Sequence, residues 1–364
     1  MKEKCIALLG RRDEPTDAIE EYCQYLGEEL RAYGFDLQIQ RVPWFEQGWS
    51  AALRELEERA ITWGGHWVLP QYTALAWSRR GFPHRFSNLM SILVEAGTRV
   101  GVVYHDVLPH QGQRLIDRVR RRLQTSTMQR ALRTASLAVF TVPPEKLPWV
   151  KHIAGNAVFI PVGANLPISA NFTRGELDVN KNELTVAVFG VTGGEAGRSE
   201  IATIAEATRS VAAQIKGLRL LVLGRNSESA EKQLRDGLKD APVDIRVTGV
   251  LPGESVVREL SESDVLLCVR GCISTRRSSA IAGIACGLPV VAYAGIDTAA
   301  PITEAGLELY DPEKKGDLAA ALVRVLKNSG HRATLADRSR IAQGRHFSWG
   351  AIAAGYAKAL QKKA

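Results

Sequence analysis

Residues 270–293 read RGCISTRRSSAIAGIACGLPVVAY. The apolar segment Asp264–Val269 before them reads as a strand, and the basic, hydroxyl-rich turn leads into a helix of small residues. Gly287 suits the helix C-cap, Pro289 blocks continuation, and Pro289–Ala292 resumes in β-branched residues as a second buried strand. A helix opening near Ser278 directs free backbone N–H groups and its positive dipole end at the turn, where Arg276 and Arg277 stand. That arrangement suits an anion, above all a phosphate.

Outward from this stretch, strands and helices alternate. Cys5–Leu9, Phe35–Val42, Trp67–Leu69, Arg99–Tyr104, Leu137–Thr141 and Ala157–Pro161 read as strands. Asp17–Tyr33, Asn88–Glu95 and Leu115–Arg133 have helical spacing. Leu166–Glu183 is polar and broken, as a linker would be. The pattern then restarts with strand Leu184–Phe189, the glycine-rich turn Gly190–Gly197 (GVTGGEAG) and helix Ser199–Ile215. Strands Leu218–Leu223 and Asp244–Val247 follow, then helices Asp317–Lys327 and Arg332–Gln343 and a last one from about Trp349 to Leu360. The expectation is an α/β protein with two doubly wound parallel sheets. Its parts would be a domain over 1–165, a linker over 166–183, a domain over 184–345 and a C-terminal helix over 346–364.

Of the 364 residues, 45% are hydrophobic and 24% charged, a composition that can bury sizeable cores. The net charge of +8 favours an anionic partner, such as a nucleotide or a phosphate-bearing surface. No recognised DNA- or RNA-binding motif accompanies it, so no nucleic acid is expected. The five cysteines are odd in number and lack metal-ligand spacing, which fits a reducing cytoplasm and no zinc. The apolar run in Met1–Gly10 is too short for a signal peptide, and no window of the sequence approaches a membrane span.

The second half resembles the two-Rossmann-domain (GT-B) nucleotide-sugar glycosyltransferases, close to glycosyltransferase family four. The resemblance rests on the Gly190–Gly197 turn, Leu220–Arg225, Val247–Val250, Asp264–Leu267, Cys286–Val291 and Phe347-Ser348-Trp349, with Ile160–Asn165 before the linker. It implies two Rossmann-like domains facing a cleft and a last helix that crosses back to the first domain. The implied reaction moves a hexosyl group from a nucleotide-diphosphate sugar to a hydroxyl of a glycan or lipid-linked acceptor, as in polysaccharide biosynthesis. It would proceed with retention, without metal and without a cofactor beyond the sugar nucleotide.

The sequence departs from the family at the donor site. The family's two glutamates, eight positions apart, fall in register on Ser274 and Ala282, and the basic residues of its glycine loop fall near Val191 and Ala196. Arg276-Arg277-Ser278-Ser279 resembles a variant that moves the positive charge to this turn. Expected donor contacts are therefore Gly193, Gly194, Arg198, Arg225, Val250, Leu251, Ser274, Thr275, Arg276, Ser278 and Ser279, with Glu254 near the base. Arg277 would stabilise the charge developing on the departing phosphate.

In the first half, His105-Asp106 closes a buried strand, where catalytic groups of open α/β sheets project. Two readings stand: a catalytic pair sharing a proton, or a loop histidine capped by its neighbour. Gly10, Arg11, Gln71 and Tyr72 are candidates for the acceptor side; Gln71, Tyr72 and Trp77 read either as a sugar-stacking wall or as an ordinary packed edge. The helix Leu115–Arg133 interleaves Arg118, Arg120, Arg121, Arg122, Arg130 and Arg133 with apolar residues. It reads either as a solvated domain face or as a contact with an anionic membrane, at the inner face of the plasma membrane. Two further functional readings are open: a catalytically silent module that binds a nucleotide sugar or scaffolds a partner enzyme, and a nucleotide-sugar epimerase.

Overall fold

A computed structural model describes residues 2–150, 155–168 and 183–362. The chain divides into two compact units, Met1–Val162 with Trp349–Ala364, and Gly163–Ser348. The greater part of the expected 166–183 linker lies outside the described residues.

The first unit contains β1 (Glu3–Leu9), α1 (Ala18–Leu30), β2 (Phe35–Arg41), α2 (Trp44–Gln47), α3 (Trp49–Ile61) and β3 (Trp67–Tyr72). It continues with α4 (Phe86–Glu95), β4 (Arg99–Tyr104), α5 (Leu115–Thr134), β5 (Leu137–Phe140) and β6 (Ala157–Phe159). The six strands are parallel in the order β2-β1-β3-β4-β5-β6. Cys5–Leu9 of β1 is almost wholly buried, because helices cover both faces of a parallel sheet. The sequence reading passed over α3, although Ala52, Leu56 and Ala60 recur at helical spacing and form its buried face.

The second unit contains β7 (Leu184–Phe189), α6 (Gly194–Ala212), β8 (Leu218–Leu223), α7 (Ser227–Leu238), β9 (Val243–Gly249) and α8 (Gly253–Ser261). After these come β10 (Val265–Leu267), α9 (Ser278–Ala285), β11 (Val290–Ala292), β12 (Leu307–Leu309), α10 (Asp317–Lys327) and α11 (Ser329–Ala342). Its sheet runs β12-β11-β10-β7-β8-β9, again all parallel. The last helix, α12 (Trp349–Lys362), packs in the first unit. There the Tyr22 hydroxyl donates to Tyr356 at 2.9 Å, and Trp349 stacks on Tyr25 with ring centroids 5.4 Å apart.

Each sheet has a point where the winding reverses, between β1 and β3 in the first and between β7 and β10 in the second. Open α/β sheets hold ligands beyond the carboxyl ends of the strands at such a point. In the second unit the elements flanking it are the Gly190 turn after β7 and the arginine turn after β10.

The opening stretch folds as its residues dictate. A Cβ on Gly283 would stand 2.5 Å from Leu266 Cδ2, so α9 lies against β10 at a distance only glycine allows. Gly287 adopts φ +69°, and the Gly287 and Leu288 amides donate to the carbonyls of Ile284 and Gly283, which closes the helix.

Candidate functional site

At the second switch point, α6 begins at Gly194 rather than near Ser199, so the back half of the glycine stretch is helical. A Cβ on Gly197 would meet the Thr192 carbonyl oxygen at 1.8 Å, so the start of α6 can fold onto the turn only with glycine there. Glu200 fastens the turn by accepting from the Thr192 amide at 2.9 Å and the Thr192 hydroxyl at 2.6 Å. Asn226 Nδ2 donates to the Val191 carbonyl at 2.9 Å. Gly193 and Gly194 are exposed at the helix start. Arg198 lies within α6, largely in solvent, with Glu195 as its ionic neighbour at 3.8 Å.

Opposite stands the turn after β10. Its helix, α9, starts at Ser278 with no side-chain cap from Arg277. The amides of Ser278 and Ser279 therefore belong to the orphan donors of a helix start. Arg277 folds back over Gly271, where a Cβ would lie 2.5 Å from its Nη2, and its Nε donates to the Cys272 carbonyl at 3.3 Å. Burial, and then the neighbouring Arg276, pull the Arg277 pKa down from its ordinary value. A cation disfavoured in this way is stabilised by any anion that comes beside it. Arg270, on the same turn, places its Nη1 3.9 Å from where a Cβ on Gly190 would be.

Arg276 donates through Nε to Asp297 Oδ2 at 3.0 Å, so part of its charge is matched inside the protein. Asp297 is fully buried and also accepts from Cys272 Sγ at 2.9 Å. Burial alone would raise the Asp297 pKa, but the Cys272 thiol and the Arg276 guanidinium hold it below the usual carboxylate range. Ser274 and Thr275 are likewise fully buried, as parts of the turn's frame. The Ser274 hydroxyl comes near Asp297 without a well-formed hydrogen bond. Sequence reasoning missed Asp297 because it returns from the loop after β11, 21 residues beyond Arg276. The acid in Gly295-Ile296-Asp297-Thr298, just past a buried strand, was the available signal.

Residues 187–328 match the family model described as "Glycosyl transferases group 1". The matched segment lies within the second unit. It contains both turns of the second switch point. No curated protein sequence matches the chain closely enough to count as a relative. Among solved structures, sucrose-phosphate synthase from Thermosynechococcus elongatus superposes with TM-score 0.72 at 18% identity, over 99% of each chain. Anabaena HepE in complex with UDP and glucose superposes with TM-score 0.68 at 14% identity, over 99% of this chain and 100% of its own. The lipopolysaccharide outer core galactosyltransferase WaaB gives 0.64 at 13%, over 99% and 100%. These likenesses establish the GT-B fold.

Within the second unit, Arg225, Val250 and Leu251 follow β8 and β9 at the same carboxyl edge. Val250 is 49% exposed, whereas Arg225 and Leu251 are partly buried. Glu254 is exposed in the first turn of α8.

Beside the first unit's switch point an imidazole faces a carboxamide. His105 follows β4, and its Nε2 lies 2.8 Å from Gln71 Oε1. The Gln71 amide nitrogen donates to the Leu69 carbonyl, which leaves Oε1 as acceptor and assigns the proton to His105 Nε2. Burial lowers the His105 pKa from 6.5 to about 4, against a smaller opposing pull from Asp17, so the ring is neutral at pH 7. Its edge contact is with Tyr22, centroids 5.0 Å apart. The proposed proton sharing with Asp106 does not form: Asp106 Oδ2 accepts from the Ala74 amide at 2.8 Å instead.

Of the two readings of the aromatic loop, the packed edge is the one that forms. Tyr72 and Trp77 are each 1% exposed, with their rings packed on Phe86, so neither can stack on a sugar. Gly10 approaches the Ala76 carbonyl so closely that a Cβ would stand 2.2 Å away. Arg11 lies over the Phe45 ring at 4.7 Å.

Proposed function

We propose that the protein transfers a hexosyl group from a nucleoside-diphosphate sugar to a hydroxyl of a glycan or lipid-linked acceptor, with retention and without a metal ion. The observation that carries this reading is Arg277, partly buried at the N-terminal end of α9 with a backbone carbonyl as its hydrogen-bond partner, beside the Gly190 turn. When the bond from the anomeric carbon to the β-phosphate breaks, negative charge moves onto the phosphate. Arg277 and the first amides of α9 are fixed cationic and dipolar groups for that charge, and need no reorganisation as it develops; the exposed Arg270 adds charge beside them. Retention follows if the acceptor hydroxyl attacks from the face the phosphate leaves and gives its proton to the departing phosphate oxygen. His105, neutral and already donating through Nε2, would hold an acceptor hydroxyl through Nδ1 rather than act as an acid.

The protein would work in the cytoplasm, against the inner face of an anionic membrane. On α5, Leu115, Ile116 and Val119 are 78%, 51% and 56% exposed, and Arg118 and Arg122 are exposed among them. Three solvent-facing aliphatics with cations around them suit an interface with acidic headgroups.

A second reading, a catalytically silent module that binds sugar nucleotides, is favoured by one observation. Ser274 stands where the resemblance expects a carboxylate, and the nearby acid, Asp297, is consumed by Arg276. Calorimetric titration of UDP, GDP, ADP and dTDP into the wild type and Arg277→Ala, without metal, tests the donor site. Binding of one nucleotide, weakened about tenfold (about 1.4 kcal/mol) in the variant, is expected. A folded protein that binds none of the four would overturn the assignment. Binding without turnover of the matching sugar nucleotides would favour the silent module.

A further inference from the structure

The second unit holds a cavity of about 380 Å³ between α6 and the start of α10. On the sheet side it is bounded by Val269, Tyr293 and Tyr310, which follow β10, β11 and β12. Glu200 belongs to its α6 wall, and the same carboxylate fastens the Gly190 turn through Thr192, so the cavity backs onto that turn. Neither Arg270 nor Arg277 lines it. Its volume falls in the range of small-molecule sites.

Tyr310 is 7% exposed, and its ring meets Tyr293 edge-on with centroids 5.6 Å apart. Among the described residues its hydroxyl has no hydrogen-bond partner, and burial keeps it protonated by raising its pKa. Helix α10 opens at Gly316 without a side-chain cap, and Leu318 and Ala319 of its first turn line the cavity. Their amides are among the orphan donors of a helix start. The acid of that turn, Asp317, is occupied by the Asp311 amide at 2.6 Å.

The charged side chains divide into paired and unpaired. Lys314 pairs with Asp311 at 3.3 Å, and Glu200 accepts from both Thr192 donors. Lys315 and Glu206, both exposed, have no ionic partner among the described residues. An unpaired lysine beside a helix start suits an acid group, and the two phenol rings suit a flat aromatic body. The unpaired Glu206 disfavours a second negative charge and suits a hydrogen-bond donor instead. We propose that this cavity binds a small aromatic acid that carries a hydrogen-bond donor at its far end. The acid takes Lys315, the α10 amides and the Tyr310 hydroxyl, the ring lies against Tyr293 and Tyr310, and the donor reaches Glu206. Binding there needs nothing of the transferase reading.

The test titrates 4-hydroxycinnamate, cinnamate and 4-methylphenol into the full chain by calorimetry, with and without each of UDP, GDP, ADP and dTDP. Lys315→Ala should weaken both acids about fivefold and leave 4-methylphenol unchanged. Glu206→Ala should weaken 4-hydroxycinnamate about fivefold, whereas cinnamate, which lacks the phenol, should bind as well or better. Thr203→Trp, at an exposed position on the cavity wall, should abolish binding of both acids without unfolding the protein. No nucleotide should displace either acid. The inference is overturned if neither acid binds, if Thr203→Trp or Lys315→Ala matches the wild type, or if Glu206→Ala acts alike on both acids. Displacement by a nucleotide would overturn it too, by placing the acids in the donor crevice. Nucleotide binding by the same preparation separates these failures from failure of the donor site.

Discussion

At the end of β4 the first unit sets a neutral imidazole against a carboxamide, and at the end of β10 the second unit crowds Arg270, Arg276 and Arg277 into one turn. Both places are carboxyl edges of parallel sheets, the first one strand away from a switch point and the second at one, so the fold alone does not make them differ. The side chains do. His105 sits where burial has removed its charge, and its one assigned proton is held by Gln71. The arginines cannot lose theirs, so the second unit must supply counter-charge, and Asp297 supplies it for Arg276. A site for hydroxyl groups can be dry and neutral. A site for a diphosphate must leave at least one cation short of counter-charge.

The largest way to break this contrast is to remove the internal counter-charge. Asp297→Ala leaves the Arg276 guanidinium, 18% exposed, without its carboxylate. Urea unfolding should show a loss of about 3 kcal/mol, near the lower end for breaking a buried pair. Nucleotide binding in the folded fraction should be retained, since Arg277 is untouched. An unchanged midpoint would mean that the pair contributes nothing to the turn.

Next comes pH. His105 is lowered from 6.5 to about 4 in the folded chain, so between these values the unfolded state binds more protons. Stability must therefore fall as pH drops from 6.5 toward 4, by about 2 kcal/mol from this residue after allowing for its partial exposure. Unfolding at pH 7 and pH 4.5 of the wild type and His105→Gln isolates the contribution. The variant should lose less stability than the wild type, and parallel losses would show that burial does not suppress the His105 charge.

Smaller again is Arg277→Lys, which keeps the charge and removes the planar fork. Nucleotide affinity should fall about threefold to tenfold, less than for the alanine variant. Equal losses for both variants would show that geometry, not charge, does the holding. The smallest expected effect on stability is on α5. Ile116→Ser with Val119→Ser should stay within about 0.5 kcal/mol of the wild type, because both side chains already face solvent. Flotation with anionic vesicles should nevertheless drop severalfold, and undiminished flotation would assign α5 to an ordinary solvated face.

Much of this was legible in the chain. The strand periods, the small-residue helix closed by Gly287 and the strand beyond Pro289 all appear where local residue chemistry places them. The α6 start was misplaced because Gly194 and Gly197 read as turn formers, whereas Gly197 is there to admit the Thr192 carbonyl. For Tyr72 and Trp77 the residues left a stacking wall and a packed edge both open, since no local pattern distinguishes a packed aromatic loop from an open one.

The sequence by itself determined the alternation of strands and helices, the turn rich in arginine and the excess of positive charge, because these depend on residues close in the chain. Only the tertiary structure decided which charge is available. Asp297 reaches Arg276 from another loop, Gln71 reaches His105 from another strand, and Asp106 turns toward Ala74. Pairing and burial are set by distances in space, and those distances set the charge and proton state of each group.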